Sequence, residues 1–399
     1  MKPKLLSPAG DWPSLRAAVD AGADSVYLGV KGFNMRANAR NFDVSELKKV
    51  VEYCHKNKVR VYVTVNTIIF EDELKKVDKF LDKIKQAKAD AVICWDFAVI
   101  KKALEKKIEV HISTQMSIAN SESLKFFEKI GAKRVVLARE CSLKQIKELK
   151  RKTKLKIETF VHGAMCVSMS GRCFTSQFLF RKSANRGECI QPCRRQYKVT
   201  DLETGDELNL DNNFVMSPKD LCVLPILDKL ADAGIDCFKI EGRNRPPEYV
   251  KTVTEAYREA IDAIKNKKFN KSLVEKLLKK LETAYNRKFS TGFFLGTPTN
   301  DDWTDVYGSN AKKSKIFVGI VKNYYKKPQV SAVLLQSGKI KVGDTIMVIG
   351  NTTGVFEQKV EEMKINDKSS KTAEKGQLVG IKINNLVRKN DQVYLIKSL

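Results

Sequence analysis

Five cysteines lie within one stretch of the chain, in the order Cys166-x6-Cys173-x15-Cys189-x3-Cys193-x28-Cys222. Glycines interleave with them and permit the tight turns that wrap a bound group. Soft thiolates from several loop positions suit an iron–sulfur cluster or zinc. Zinc ligands usually come in pairs two to four residues apart, and the gaps of six and fifteen residues fit that pattern poorly. The spacing therefore favours an iron–sulfur cluster.

Four thiolates are enough for a four-iron [4Fe–4S] cluster, so one of the five cysteines is surplus. We predict Cys166, Cys173 and Cys189 as ligands. Cys193 and Cys222 compete for the fourth position, and spacing alone does not decide between them. The alternative is that these are unrelated free thiols.

The elements that must position the cysteines follow from the hydrophobic pattern. Short apolar runs alternate with amphipathic, Lys-rich segments, which predicts parallel strands joined by crossover helices. A weak repeat supports this, since a small residue or Gly ends a helix directly before an apolar strand, as in Ala21–Gly29 and Gly131–Leu137. We predict an α/β fold, a TIM-type (β/α)8 barrel over residues 1–265, with a doubly wound open sheet as the alternative. The predicted strands are Lys4–Ser7, Ser25–Val30, Val59–Val65, Ala91–Trp95, Glu109–Thr114, Arg134–Ala138, Lys156–Val161 and Asp236–Ile240.

Two regions depart from the alternation. Residues 163–222 form a cysteine-rich insertion, and a long irregular insertion in a compact domain is usually functional. Residues 266–314 are predicted to be a linker that is first helical and then aromatic and Gly-rich, the latter over Phe289–Pro298. Residues 315–399 show short strands and turns, which predicts a small antiparallel β-barrel.

The chemistry of a TIM barrel lies at the carboxyl ends of its strands. His162 could relay a proton or hydrogen-bond a cluster sulfur, or merely satisfy a turn. Glu158 lies inside a strand and is expected to be a buried partner of an Arg or Lys. The catalytic candidates selected by the strand-end rule are Asn66, Gln115, His162, Glu241 and Arg243, with Tyr27, Thr114 and Glu140 beside them.

Arg243 is the candidate for binding an anion, because a planar guanidinium binds carboxylate or phosphate through two hydrogen bonds. Its alternative role is an ion pair with Glu241 or another carboxylate at the barrel mouth. Arg36 and Arg40 are weaker candidates for the same task, and for each we expect a solvated loop charge.

The formal charge of +26, from 73 Lys and Arg against 47 Asp and Glu, raises the expectation of a polyanionic partner such as RNA. The excess is mostly Lys spread along the helices, which also suits ordinary solvated surfaces. We find no signal-peptide pattern and no run of 18 apolar residues, so we expect a soluble, cytoplasmic protein without a membrane partner. Cysteines in that reducing compartment are better suited to metal binding than to disulfides.

The segment Glu158–Cys173 resembles the signature of the collagenase-like peptidase family U32. It contains Glu158-x-Phe160-x-x-Gly163, then Cys166, then Gly171-x-Cys173. The resemblance covers about residues 1–300, and longer members also carry a small terminal barrel. Further family-like segments are Leu6–Gly10, Arg186–Cys189, Met216–Leu221 and Lys239–Arg243.

The resemblance implies an oxygen-independent hydroxylase with a cysteine-bound [4Fe–4S] cluster. Relatives of this kind modify a tRNA wobble uridine with prephenate as co-substrate, a ribosomal RNA cytidine, or the ubiquinone ring. The Lys-Asp-Leu-Cys context of Cys222 resembles a later ligand of the quinone type, which ranks Cys222 above Cys193. Residues 315–399 resemble the second-domain barrel of translation GTPases, and the tRNA type carries such a barrel. With the positive charge, this favours tRNA as the substrate and a small dicarboxylate as co-substrate.

Two other functions compete with RNA hydroxylation. The family name implies a peptidase, but the chain has no His-Glu-x-x-His, no Gly-x-Ser-x-Gly and only three histidines. The third alternative is a noncatalytic RNA- or ribosome-binding protein with a structural cluster.

Overall fold

A closed ring of eight parallel strands forms the body of the protein in the computed structural model, which describes residues 2–208 and 212–399. The ring runs β1 to β7 and then β9, and β9 pairs in parallel with both β7 and β1. This confirms the TIM-type barrel and contradicts the open sheet. Its strands are β1 Lys4–Ala9, β2 Ser25–Gly29, β3 Arg60–Val65, β4 Ala91–Cys94, β5 Val110–Ile112, β6 Arg134–Val136, β7 Lys156–Gly163 and β9 Cys237–Ile240.

Helices cover the outside of the ring and bury their apolar faces against it in one continuous core, except for α7, which lies in the cysteine-rich insertion. Local signals fix where they begin: the Asp11 side chain, for example, accepts a hydrogen bond from Ser14 N at the start of the first helix. The helices are α1 Trp12–Asp20, α2 Leu47–Lys56, α3 Leu74–Gln86, α4 Phe97–Glu105, α5 Ser121–Lys129, α6 Leu143–Arg151, α7 Thr175–Phe180, α8 Leu227–Asp232, α9 Pro247–Lys265 and α10 Lys271–Leu281.

Charged groups occupy part of the barrel interior. Glu158 of β7 is buried and pairs with Arg134 of β6 at 2.9 Å and with Lys239 of β9 at 2.9 Å. Burial would raise the pKa of Glu158, but Lys239 and Arg134 lower it to about 2. The expectation that Glu158 is a buried ionic partner is therefore confirmed.

Two further strands lie outside the ring. β8 (Asp220–Cys222) pairs antiparallel with the end of β7, and β10 (Phe289–Ser290) pairs in parallel with β8. The sequence pattern did not reveal β8 because it has only three residues and includes the buried Asp220, which pairs with Arg287 at 2.8 Å. The predicted linker 266–314 packs on the barrel, since Leu277 and Leu281 of α10 and Phe294 belong to its core.

The C-terminal region is an antiparallel sheet in the order β15-β14-β20-β11-β12-β19-β16-β17, with β13 and β18 paired separately. One apolar cluster contains residues from both ends of that order, so the sheet curls around its own core. The strands are β11 Lys313–Tyr325, β12 Val330–Leu335, β13 Lys339–Lys341, β14 Thr345–Gly350, β15 Gly354–Lys359, β16 Met363–Ile365, β17 Lys368–Ser369, β18 Thr372–Glu374, β19 Leu378–Lys382 and β20 Gln392–Ser398.

The sheet docks on α1 and α9. Met347, Ile349 and Val355 join the apolar core of the barrel, and Lys315 pairs with Glu248 of α9 at 2.8 Å. Arg16 of α1 donates a hydrogen bond to the Asn351 carbonyl at 2.7 Å. Among the described residues, no helix has both the length and the apolar character needed to cross a membrane.

Replacing Glu158 by Gln should lower the free energy of unfolding by about 3–5 kcal/mol, because Arg134 and Lys239 would remain buried without their counter-charge. Denaturant unfolding followed by circular dichroism measures this. The control is Glu122→Gln, which breaks an exposed pair with Lys125 and should leave stability nearly unchanged. Equal stability of the two variants would contradict the interior role of Glu158.

Candidate active site at the barrel mouth

A cavity of about 140 Å³ opens at the carboxyl ends of the strands. Four of the five predicted catalytic residues line it, namely Asn66, Gln115, Glu241 and Arg243, and Tyr27 and Thr114 lie beside them. Asn66 Nδ2 and Gln115 Oε1 are 3.5 Å apart, so the amides that follow β3 and β5 meet across the mouth.

Four cysteines of the insertion line the same cavity: Cys166, Cys173, Cys189 and Cys193. Ser168 N donates to Cys166 Sγ and Thr175 N donates to Cys173 Sγ, each at 3.4 Å. Burial would raise the pKa of Cys173, but hydrogen bonds from Ser168 and Thr175 lower it. Donors directed at sulfur stabilise thiolates, the form that binds metal.

Cys222 does not lie with the other cysteines. It is buried in β8 outside the ring, where the Tyr257 hydroxyl is 3.7 Å from its sulfur, and burial raises its pKa to about 11. Cys193 instead lies close enough to Cys166, Cys189 and Cys173 for their charges to raise its pKa, in addition to the effect of burial. The structure thus places Cys193, and not the higher-ranked Cys222, at the mouth with the other three cysteines, because the pairing of β8 with β7 holds Cys222 away from it.

The four thiols surround a cavity and do not converge on a point. In the described part of the chain, no three Cys, His, Asp or Glu side chains are arranged to hold one metal ion. A single zinc ion needs its ligands on one tetrahedral centre, whereas a four-iron cluster takes one thiolate on each separate iron. Four thiolates are the donor set that a four-iron cluster takes, one for each iron.

Arg186 anchors the insertion to the barrel, and Arg194 joins separate parts of the insertion to each other. Arg186 forms a two-pronged ion pair with Glu73, at 2.6 and 2.7 Å, and donates to the Ile68 carbonyl. Arg194 donates to the Pro218 carbonyl at 2.8 Å and also bonds the Met165 carbonyl. These bonds fix the loop on both sides of the cysteines.

Positive charge dominates the cavity wall. Arg36 pairs with Glu241 at 3.1 Å, so Glu241 is satisfied by Arg36 and leaves Arg243 free of that partner. Arg243 donates to the Thr64 hydroxyl at 2.7 Å, and burial lowers its pKa to about 10. The charged lining residues are Glu241 and the cations Arg36, Arg139, Arg194, Lys239 and Arg243.

Arg139 is a site residue that the sequence analysis missed. Its guanidinium lies over the Phe160 ring at 4.3 Å, donates to the Ala164 carbonyl at 3.0 Å, and has its pKa lowered by burial. Its position shortly after β6 is the signal that could have identified it, since functional residues of a TIM barrel follow the strands. The same rule selected the neighbouring Glu140 there instead. Arg36, expected to be a solvated loop charge, also lines the cavity, whereas Arg40 is exposed and pairs with Asp11.

Residues 10–304 match the model for peptidase family U32. The chain belongs to peptidase family U32. An uncharacterized protease of Methanocaldococcus jannaschii is 44% identical over 99% of this chain and 98% of its own. A collagenase of Porphyromonas gingivalis is 40% identical over 98% of this chain and 97% of its own. The tRNA hydroxylation protein P1 of Bacillus subtilis is 36% identical over 90% of this chain and 86% of its own.

His162, predicted to relay a proton, to bond a cluster sulfur or merely to satisfy a turn, stands apart from the mouth cavity of this U32 barrel. A bulge between Phe160 and His162, where β7 pairs with β9, shifts the side-chain alternation. Phe160 therefore lines the cavity, while His162 packs outside the ring among Tyr249, Tyr257 and Phe289.

Burial lowers the pKa of His162 from its ordinary value of 6.5 to about 4. As the pH falls below 6.5, His162 binds a proton in the unfolded chain but stays neutral in the folded protein. The free energy of unfolding therefore decreases until the pH reaches about 4. His162→Phe should remove up to about 1.4 kcal/mol per pH unit of this loss. Urea unfolding at several pH values measures it. A variant with the wild-type pH dependence would contradict the neutral, buried state of His162.

Proposed function

We propose that this member of family U32 is an iron–sulfur enzyme that hydroxylates RNA, with a tRNA wobble uridine as the substrate and an anionic carboxylate, prephenate by resemblance, as co-substrate. The observation that carries the proposal is that four thiols line one cavity together with Arg139 and Arg243, two guanidiniums that bond neutral oxygens and make no direct ion pair with a described residue. The tRNA hydroxylation protein of Bacillus subtilis, similar over most of both chains, supports the choice of substrate.

Cys166, Cys173, Cys189 and Cys193 would hold the [4Fe–4S] cluster. Such a cluster supplies one-electron or Lewis-acid chemistry that ordinary side chains lack. The backbone N–H groups of Ser168 and Thr175 would keep their hydrogen bonds to the ligand sulfurs, which orients the thiolates.

The two guanidiniums would bind and orient the carboxylate co-substrate. Arg243 is held by Thr64 and by Asn34 Oδ1, at 2.7 and 3.1 Å, so its direction is fixed before the anion arrives. Because Arg36 already neutralises Glu241, that carboxylate does not compete for Arg243. A buried cation without a counter-ion favours binding of an anion.

The surface of the insertion supports RNA as the partner. Phe174 and Phe178 are 58% and 81% exposed, and their ring centres are 5.9 Å apart. Arg172 lies two residues before the first ring, and Arg181 lies three residues after the second. Exposed rings among cations are typical of surfaces on which unpaired bases stack. The formal charge of +26 adds a long-range attraction for phosphates.

The names of two relatives imply a peptidase, but the mouth cavity does not favour proteolysis. In the described structure His111 and His162 are buried and His55 pairs with Asp90 on the surface, so no imidazole lies in the cavity beside a thiol. If protein freed of contaminants cleaves peptides, and a cysteine substitution abolishes that cleavage, the peptidase function would be supported.

Cys193→Ala should lose the cluster, whereas Cys222→Ala should retain it. Anaerobic purification followed by iron and sulfide analysis and absorbance near 400 nm measures this, with roughly four irons and four sulfides expected when the cluster is intact. The two variants are matched controls, because each removes one thiol from the same region. Loss of iron in Cys222→Ala alone would contradict the ligand set proposed here.

Arg243→Lys should raise the KM for prephenate by roughly tenfold or more, because an ammonium cannot reproduce the two-point bond of a guanidinium. Nucleoside analysis of tRNA over a range of prephenate concentrations measures it. The control is Arg40→Lys, at an exposed arginine that follows β2 and pairs with Asp11 outside the cavity, and this variant should behave as the wild type. The proposed function falls if cluster-loaded wild-type protein leaves tRNA uridine unmodified.

A further inference from the structure

A second cavity of about 480 Å³ lies beside the cysteine loop. One wall is the aromatic, Gly-rich stretch that the sequence predicted to be part of a linker, followed by Trp303. The opposite wall is the loop 165–170, which carries Cys166. Neither the cluster nor the anion site accounts for this cavity.

Its lining combines flat apolar groups with a few polar ones. Phe293, Trp303, Pro218 and Pro298 supply aromatic and ring surfaces. Its charged lining residues are Arg139, Glu140, Lys219 and Asp302. Hydroxyl groups come from residues that include Ser168 and Ser290. Binding sites for planar heterocycles have this composition, with apolar faces and a small number of polar groups that bond the ring edges.

Hydrogen bonds hold the walls in place. Trp303 Nε1 donates to the Val215 carbonyl at 2.8 Å, and Thr304 N donates to the Ser217 carbonyl at 2.9 Å. Gly292, at φ +57°, lies so close to the loop that an added Cβ would be 3.1 Å from the Leu221 side chain and 3.3 Å from that of Met165. The cavity is therefore built into the fold and needs no rearrangement to exist.

The two cavities share a wall. Arg139, Met165, Cys166 and Ser168 line both, so a ligand in the second cavity lies across the Cys166 loop from the cluster and anion site. Lys219 lies at the second cavity, where its ammonium donates to the Asp301 carbonyl and places a positive charge suited to a phosphate.

We infer that the second cavity receives an unstacked nucleobase of the RNA substrate, held between the Phe293 and Trp303 side chains. The inference rests on the proposed function and specifies where its substrate binds. Enzymes that act on a base take it out of the stack into a shaped pocket and pay for the unstacking with new stacking contacts. A cavity that is lined by Phe293 and Trp303 and shares a wall with the mouth cavity meets that requirement.

Binding of oligouridylate tests the inference without turnover. The probes are a short oligouridylate and a completely abasic strand of the same length. Base-bearing RNA should quench the fluorescence of Trp303, and the quenching should disappear in Trp303→Phe while Trp12 and Trp95 still emit. Phe293→Ala should weaken binding of the oligouridylate by roughly tenfold, since one stacked base is lost. Leu295→Ala, exposed in the same segment and outside the cavity, is the matched control.

The outcomes separate this inference from the proposed function. If tRNA is hydroxylated and Phe293→Ala matches Leu295→Ala in both affinity and KM, the pocket assignment is overturned and the function stands. If hydroxylation is absent but base-dependent quenching vanishes in Trp303→Phe, the pocket stands and the function falls. Quenching of wild-type Trp303 that persists fully with a completely abasic strand overturns the pocket, since no base would then be recognised. Absorbance near 400 nm, unchanged in each variant, shows that the cluster loop is intact.

Discussion

The charge of Glu158 is the constraint on which the barrel depends. A carboxylate in the interior is stable only while Arg134 and Lys239 remain in place, which fixes β6, β7 and β9 relative to one another. β7 leads directly into the cysteine loop, and β9 leads directly into Glu241 and Arg243. One buried ionic cluster therefore sets the register of both strands that supply the site. Aliphatic side chains at these positions could fill the interior equally well. They would fix the register less strictly, because they lack the directional ion pairs.

The bulge on β7 determines which side chains of that strand face the mouth of the barrel. Without it, Glu158, Phe160 and His162 would alternate onto the same face of the strand. The shift leaves the first two inside and moves the imidazole into the apolar layer beneath α9. The mouth then contains amides, cations and thiols in place of an imidazole, a composition suited to binding a cofactor and an anion.

Much of the architecture could be predicted because it is local and repetitive. The helix-end signals before the strands identify the ring, and strand ends identify Asn66, Gln115, Glu241 and Arg243. The failures are non-local. A bulge depends on pairing between β7 and β9, and the position of Cys222 depends on a three-residue strand with no periodicity of its own. The position of Cys193 at the mouth follows from how the insertion folds, with Arg186 bonded to Glu73 and Arg194 bonded to Pro218, and spacing along the chain does not encode this.

The docking of the C-terminal sheet has a mechanical consequence. Met347, Ile349 and Val355 are continuous with the apolar core of the barrel, and bonds from Arg16 and Lys251 fasten the strand edge to α1 and α9. Because of these contacts, the C-terminal sheet cannot move as a separate body on a flexible linker. A large ligand that touches both parts must adapt its own shape to a fixed template, so selectivity would arise from the bending cost of the ligand and not from closure of the protein.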